Sequence, residues 1–166
     1  MKLEKRDDRK AKCTMLHWLR IKQRCPFIAT EVGSHSADCI GVSEKKMIEV
    51  EVKINIPDFI ADFKKSKHHT YCAEQGDYSW QKQWVPTHFY YAVKTSMVDE
   101  VKELLAKKAE DFRCSKMGSY GVIDFEKMQV EKRAQWIHKR EPNSHVKYVV
   151  ALRMGSELLR FHEAWL

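Results

Sequence analysis

The segment Ser36-Ala37-Asp38-Cys39-Ile40-Gly41-Val42, a short polar turn and then Ile48-Glu49-Val50-Glu51-Val52-Lys53 set an acid shortly before a Glu-x-Lys on an apolar strand. Successive strand side chains point to opposite faces, so Ile48, Val50, Val52 and Ile54 share one face and Glu49, Glu51 and Lys53 the other. Magnesium or manganese takes oxygen ligands and needs only one or two carboxylates beside a phosphate oxygen. A neighbouring ammonium offsets the charge that builds on a reacting phosphoryl group. The chemistry these residue types support is metal-dependent hydrolysis of a phosphodiester, with Asp38, Glu51 and Lys53 as the candidate catalytic residues. Glu49 is either an outer ligand or a surface group at the strand's far end. Taken alone, Glu-x-Glu-x-Lys also describes the wet face of an antiparallel strand.

These residues have to be positioned by elements that the rest of the chain makes legible. Met15, Leu16, Trp18, Leu19 and Ile21 among basic residues predict a first helix over about 7–23, ended by Cys25-Pro26. Strands follow at 27–32, carrying Glu31, at 37–42 and at 47–55, with a hairpin loop at Glu44-Lys45-Lys46. A three-residue loop pairs Ser43 with Met47, which sets Ile40 opposite Val50, Val42 opposite Ile48 and Asp38 opposite Val52. That register turns Asp38 away from Glu51, and a bulge or strong twist near Ala37 would be needed to bring it back. Asn55-Ile56-Pro57-Asp58 opens a helix running to about Ala73, with Ile56, Phe59, Ile60 and Phe63 inward. Residues 75–87 form a loop, 89–93 a buried strand, and Ser96-Met97-Val98-Asp99 a capping box ahead of a helix with Val98, Val101, Leu104 and Leu105 inward. A strand at 120–125, a hairpin partner at 128–134 and a long C-terminal helix complete the reading, although Tyr148 to Leu152 would also suit a strand.

The composition bounds the classes available. A chain of 166 residues makes one domain, here 1–166, with a core of about 7–125 and an extension at 126–166. No apolar run is long enough to span a bilayer and no signal-peptide core follows the charged start, so no membrane association and a cytoplasmic location are expected. Five widely spaced cysteines without a Cys-x-x-Cys read as free thiols, several of them in the core. The formal charge of +7 favours a polyanionic partner. Basic residues crowd the first segment and return as Lys64, Lys65, Lys67, His68 and His69. Lys64, Lys65, Lys67, His68 and Tyr71 are therefore the candidate nucleic-acid-binding residues, and a solvated basic helix face is the other reading of the same pattern. His35, His68 and His69 read as surface or phosphate-contacting groups rather than metal ligands. Trp80 and Trp84 either stack on unpaired bases or cap the core.

The motif and the order of elements together resemble the PD-(D/E)XK, or restriction-endonuclease-like, nuclease superfamily. The similarity is greatest to a small bacterial and phage branch described as DNA-repair endonucleases, in which an Ala-Asp strand, an Ile-Glu-Val-x-Lys strand and an Asp-Phe-x-x-Asp helix with Lys and Tyr follow one another. Ala37-Asp38, Ile48 to Lys53, Asp58-Phe59, Asp62, Lys65, Tyr71 and then Phe89 to Val93 stand in that order, so the resemblance covers about 28–125. Ser36 stands where an Arg commonly precedes the Ala-Asp pair, and the Pro of the family's name is absent. The supporting Glu that many members carry on the first helix has no clear counterpart, since Asp7 and Asp8 sit at that helix's start, and Glu31 is its substitute.

The resemblance implies an α/β fold with an αβββαβ core, a mixed sheet flanked by helices, and an extra C-terminal hairpin and helix. It implies a Mg²⁺- or Mn²⁺-dependent nuclease acting on DNA in repair or restriction. Glu31, Asp38 and Glu51 would hold metal and Lys53 would serve as the catalytic cation. RNA is an alternative substrate, a homodimer would suit paired cuts, and a non-cutting nucleic-acid-binding or protein-interaction module is the alternative function.

Overall fold

In a computed structural model, which describes residues 2–33, 36–72, 83–111 and 115–163, a six-stranded mixed sheet in the order β1 to β6 carries helices on both faces. The chain begins with α1 (Lys2–His17), which passes into one wide π turn (Trp18–Lys22), and continues through β1 (Phe27–Ala29), β2 (Cys39–Val42) and β3 (Met47–Lys53). Two short helices, α2 (Ile56–Asp62) and α3 (Ser66–Cys72), precede β4 (His88–Val93). A 3₁₀ turn (Thr95–Met97), α4 (Val98–Asp111), α5 (Ser115–Gly118), β5 (Gly121–Asp124), β6 (Gln129–Lys132) and α6 (Ser144–Glu163) follow. β1, β2 and β3 are antiparallel neighbours, β3–β4 and β4–β5 are parallel, and β6 returns antiparallel with a bulge at Val122/Ile123. The α/β class, the mixed sheet and the C-terminal helix agree with the sequence expectation. Among the described residues no helix is long and apolar enough to cross a membrane.

The parallel strands are buried on both sides, as such strands are when helices cover each face. On one face α1 and its π turn pack Ala11, Met15, Trp18 and Leu19 against Cys39, Val50, Val52, Tyr90 and Ala92. Gly41 permits that approach, because a Cβ there would come within 2.9 Å of Leu19 Cδ2 and 3.0 Å of Cys25 Sγ. On the other face α2, α3 and α4 cover Phe89, Tyr91, Val93 and Val122. α6 closes the β1–β2 end through Val146 and Val150, together with Trp84, which caps the core in line with the second of its two readings. Trp80 and His35 lie outside the described residues.

Four local expectations need correction. The β2–β3 loop has four residues, closed by Ser43 N–H donating to Lys46 O, so Val42 pairs with Met47, Ile40 with Glu49 and Cys39 with Val50. The expected single helix from 56 breaks at Phe63–Lys65, where Lys65 N–H turns back to Asp62 O, and Ile60 is 42% exposed rather than inward. Ser96 caps nothing, because it lies inside the 3₁₀ turn, and the end of that segment is held instead by Glu126, which accepts from Thr95 N–H. Cys72 is disulfide-bonded, which corrects the reading of five free thiols, whereas Cys13, Cys25 and Cys39 are free.

Candidate functional site

All seven residues of β3 are buried, so Glu49, Glu51 and Lys53 do not form a wet face. Parallel register sets them beside Phe89, Tyr91 and Val93 of β4, under α2 and α3. Placing three ionisable groups there requires partners, since an unpaired buried charge costs several kcal/mol, on the order of 3–5, once one member of a pair is removed. The break between α2 and α3 supplies them. Asn55 caps α2 by accepting from Asp58 N–H at 2.8 Å, and the last residue of that helix, Asp62, points into the site. After the turn, α3 directs Lys67, His68 and Tyr71 inward, with exposures of 0%, 0% and 1%.

The result is an alternating lattice of acids and ammonium groups. Lys53 Nζ lies 3.1 Å from Glu51 Oε2 and 2.9 Å from Asp62 Oδ1. Lys65 Nζ bridges the same two oxygens, at 3.3 Å and 2.6 Å. Lys67 Nζ lies 2.6 Å from Glu51 Oε1 and 3.1 Å from Glu49 Oε1. Tyr71 OH donates to Glu49 Oε2 at 2.6 Å, and Tyr91 OH donates to Asp62 Oδ2 at 2.9 Å. His68 Nε2 lies 2.9 Å from that same Asp62 oxygen, and its Nδ1 lies 3.2 Å from Tyr120 OH. Glu49, Glu51 and Asp62 thus face Lys53, Lys65 and Lys67, a matched set of charges.

Electrostatics separates the members. Burial disfavours the ionised form of every acid here, yet Lys67 and Lys53 outweigh it at Glu51, whose carboxyl stays below its ordinary range. At Asp62 burial is likewise overcome, by the His68 hydrogen bond and by Lys67 and Lys53. At Glu49 burial and the Glu51 charge win over Lys67, and the carboxyl is pushed up. Burial lowers the Lys53 ammonium, but Glu51 and Asp62 more than restore it, and the net shift is upward. Lys53 is therefore a permanent cation near neutrality, suited to offsetting charge and not to accepting a proton.

Asp38 stands at the same end of the sheet. The β2–β3 register ends at Cys39↔Val50, and Asp38 occupies the bend just before β2. Its Oδ2 accepts from Val52 N–H at 3.0 Å, ending the ladder, and its Oδ1 pairs with Lys12 of α1 at 3.1 Å. Burial and the Glu51 charge raise its carboxyl against the pull of Lys12, whose ammonium is itself held at about 12, because Asp38 and Asp8 overcome its burial.

The other expected site residues divide. Glu31 is not brought to Glu51: it occupies a left-handed bend (φ 52°), its carboxylate is exposed, and it pairs with Arg153 of α6 at 3.6 Å. Glu31, Asp38 and Glu51 are not assembled as one ligand set, and among the described residues no group of three or more His, Cys, Asp or Glu is placed to hold a metal ion. Lys67, His68 and Tyr71, expected to face nucleic acid, are buried with their hydrogen bonds directed inward; Lys64 and Lys65 are exposed. Glu49 is neither a surface group nor at a far end, since Lys67 and Tyr71 enclose it. Asp62 was legible only as part of the Asp-Phe-x-x-Asp motif, and the signal for its role is the Lys65 one turn on, with which it pairs. Tyr91 and Tyr120 carried no sequence signal beyond an apolar strand.

No family model matches this chain, and neither a curated protein nor a solved structure matches it significantly.

Proposed function

We propose that this chain is a metal-dependent nuclease that hydrolyses phosphodiester bonds in DNA, of the PD-(D/E)XK kind that its sequence resembles. One observation carries the reading: Lys65, whose side chain is 48% exposed, places its ammonium between Glu51 and Asp62, which are 1% and 0% exposed. A cation that can leave to solvent occupies the bridge between two carboxylates that cannot. When Lys65 swings out, three acids face two lysines, and the site carries a net negative charge open to a replacement cation.

The donor set suits Mg²⁺ or Mn²⁺, being oxygen only, with Glu51 and Asp62 at the bridge and Asp38 at the same sheet end. Glu51 Oε1 and Asp62 Oδ1 are buried and met by lysine ammonium groups, the first by Lys67 at 2.6 Å and the second by Lys53 at 2.9 Å and Lys65 at 2.6 Å. A bound divalent cation would polarise the phosphoryl oxygen and lower the pKa of a coordinated water. Lys53 offsets the charge that develops on the phosphoryl oxygens, and the Asp62 and Glu51 contacts fix where its ammonium sits. Lys64 and a displaced Lys65 supply exposed positive charge toward the backbone of a polyanion, in keeping with the net charge of +7.

The match of acids to lysines also supports a second reading, in which the lattice is the ionic core of a non-cutting nucleic-acid-binding or protein-interaction module. Supercoiled plasmid, single-stranded DNA and RNA incubated with Mg²⁺, Mn²⁺ or EDTA separate the two. The nuclease reading expects metal-dependent cleavage that is lost in Glu51→Gln and Lys53→Ala. Salt-dependent binding without cleavage by any of the three proteins favours the module.

A further inference from the structure

We propose that His68 is a positioning residue for this chemistry: it anchors one carboxylate oxygen of Asp62 so that the other is presented to the bridging cation. The proposal rests on the metal-dependent reading above. The two oxygens of Asp62 are used differently. Among the described residues, Oδ2 takes the His68 Nε2–H and the Tyr91 O–H, each at 2.9 Å. Oδ1 is met there by ammonium groups, Lys53 at 2.9 Å and Lys65 at 2.6 Å. Neutral donors fix the plane of a carboxylate without cancelling its charge, so Oδ1 keeps its full attraction for a cation.

The geometry places a hydrogen on Nε2, because an ionised Asp62 can only accept. Burial disfavours the imidazolium, and in the neutral ring Nδ1 accepts from Tyr120 O–H at 3.2 Å. Phe63 stacks on the ring at 5.3 Å and 28°, and Phe89 meets it edge-on at 5.7 Å and 79°. The side chain is 0% exposed, so bulk solvent does not reach either nitrogen. A carboxylate held by ammonium groups alone could rotate and exchange its oxygens; the His68 and Tyr91 bonds prevent that.

The test is Mn²⁺ affinity by calorimetry, read beside melting temperature without metal and beside the Mg²⁺ dependence of cleavage. His68→Leu should weaken Mn²⁺ binding by about tenfold or more and raise the Mg²⁺ requirement, and His68→Gln, which retains an N–H donor, should recover most of that loss. A folded His68→Leu with wild-type Mn²⁺ affinity, or a His68→Gln as impaired as His68→Leu, overturns the proposal. If His68→Leu does not fold, Tyr120→Phe decides the matter, since it keeps the ring and removes the hydroxyl: severalfold weaker binding supports the role and unchanged binding overturns it. Wild-type protein that binds no Mn²⁺ overturns the metal-dependent reading and this proposal together, whereas normal binding that is insensitive to both positions overturns only the role of His68.

Discussion

Replacing Lys67 by Met tests whether the site is a charge lattice or an incidental set of contacts. Its ammonium is 0% exposed and lies 2.6 Å from Glu51 and 3.1 Å from Glu49, with the Phe89 ring 5.3 Å below it. Met keeps the length of the side chain and removes the charge, leaving Glu49 and Glu51 to repel each other out of water. Breaking a buried ion pair on one side costs about 3–5 kcal/mol. For a domain of this size each kcal/mol moves the melting temperature by roughly 2–4 °C, so a fall of about 6–20 °C is expected. Adding Glu49→Gln should restore about half of the loss, because Glu51 still has Lys53 and Lys65. The cost should also shrink with acidity. Glu49 already sits above the ordinary carboxylate range through burial and the Glu51 charge, and without Lys67 it rises further. The folded variant then holds a proton at a pH where the unfolded chain has lost it, so stability falls as pH rises through that window. Urea and thermal denaturation by circular dichroism at about pH 5 and about pH 8 provide the readout. A single variant within about 1 kcal/mol of wild type, or a double variant no better than the single, is incompatible with a charge lattice.

Other perturbations have signs of their own. Lys65→Ala removes the competing cation from a half-exposed side chain, so stability should change by no more than about 1 kcal/mol while Mn²⁺ binding tightens; weaker binding in calorimetry contradicts this. His88 is held at about 4, by burial and then Lys46, and His138 is lowered mainly by burial. Below the ordinary value of 6.5 the unfolded chain takes protons there that the folded chain refuses, so stability should fall as pH drops through that window, and a flat profile of urea midpoints argues against it. Cys72 directly follows Tyr71 and is disulfide-bonded, so a dithiol reductant should lower stability by about 2–4 kcal/mol in wild type and leave Cys72→Ser unaffected; equal sensitivity in both would count against that tether.

What the sequence made legible follows from which forces leave a one-dimensional trace. The apolar run from Phe89 to Val93 places β4 within a residue of where it lies, and the alternation from Ile48 starts β3 at Met47 but carries it two residues past its end at Lys53. The C-terminal helix was legible because Val146 and Val150, the residues that seat it, are one turn apart. The β2–β3 register was not legible, because hydrophobic pattern selects a register only where one face is wet, and both faces of β3 are covered. The deciding contact is local, Ser43 Oγ accepting from Lys46 N–H at 3.2 Å. Polar residues at 67 and 68 read as a basic surface because nothing in their spacing reveals Glu49, Glu51 and Asp62 waiting beneath the helix. The break after Asp62 has no Gly or Pro to mark it, and the helix that follows it turns those residues inward. Glu31 misled for a similar reason: its left-handed bend sends the carboxylate outward to Arg153, a residue that sequence places far away.

In the proposed function a divalent cation replaces Lys65 between Glu51 and Asp62. The most direct measurement is a crystal structure of the wild-type protein grown with Mn²⁺, with data collected at a wavelength where manganese scatters anomalously. The expected result is an anomalous peak in contact with both carboxylates and Lys65 withdrawn toward solvent, with His68 and Tyr91 still on Asp62 Oδ2. Anomalous maps empty at that bridge, with the Lys65 ammonium still spanning Glu51 and Asp62 at millimolar Mn²⁺, would contradict it.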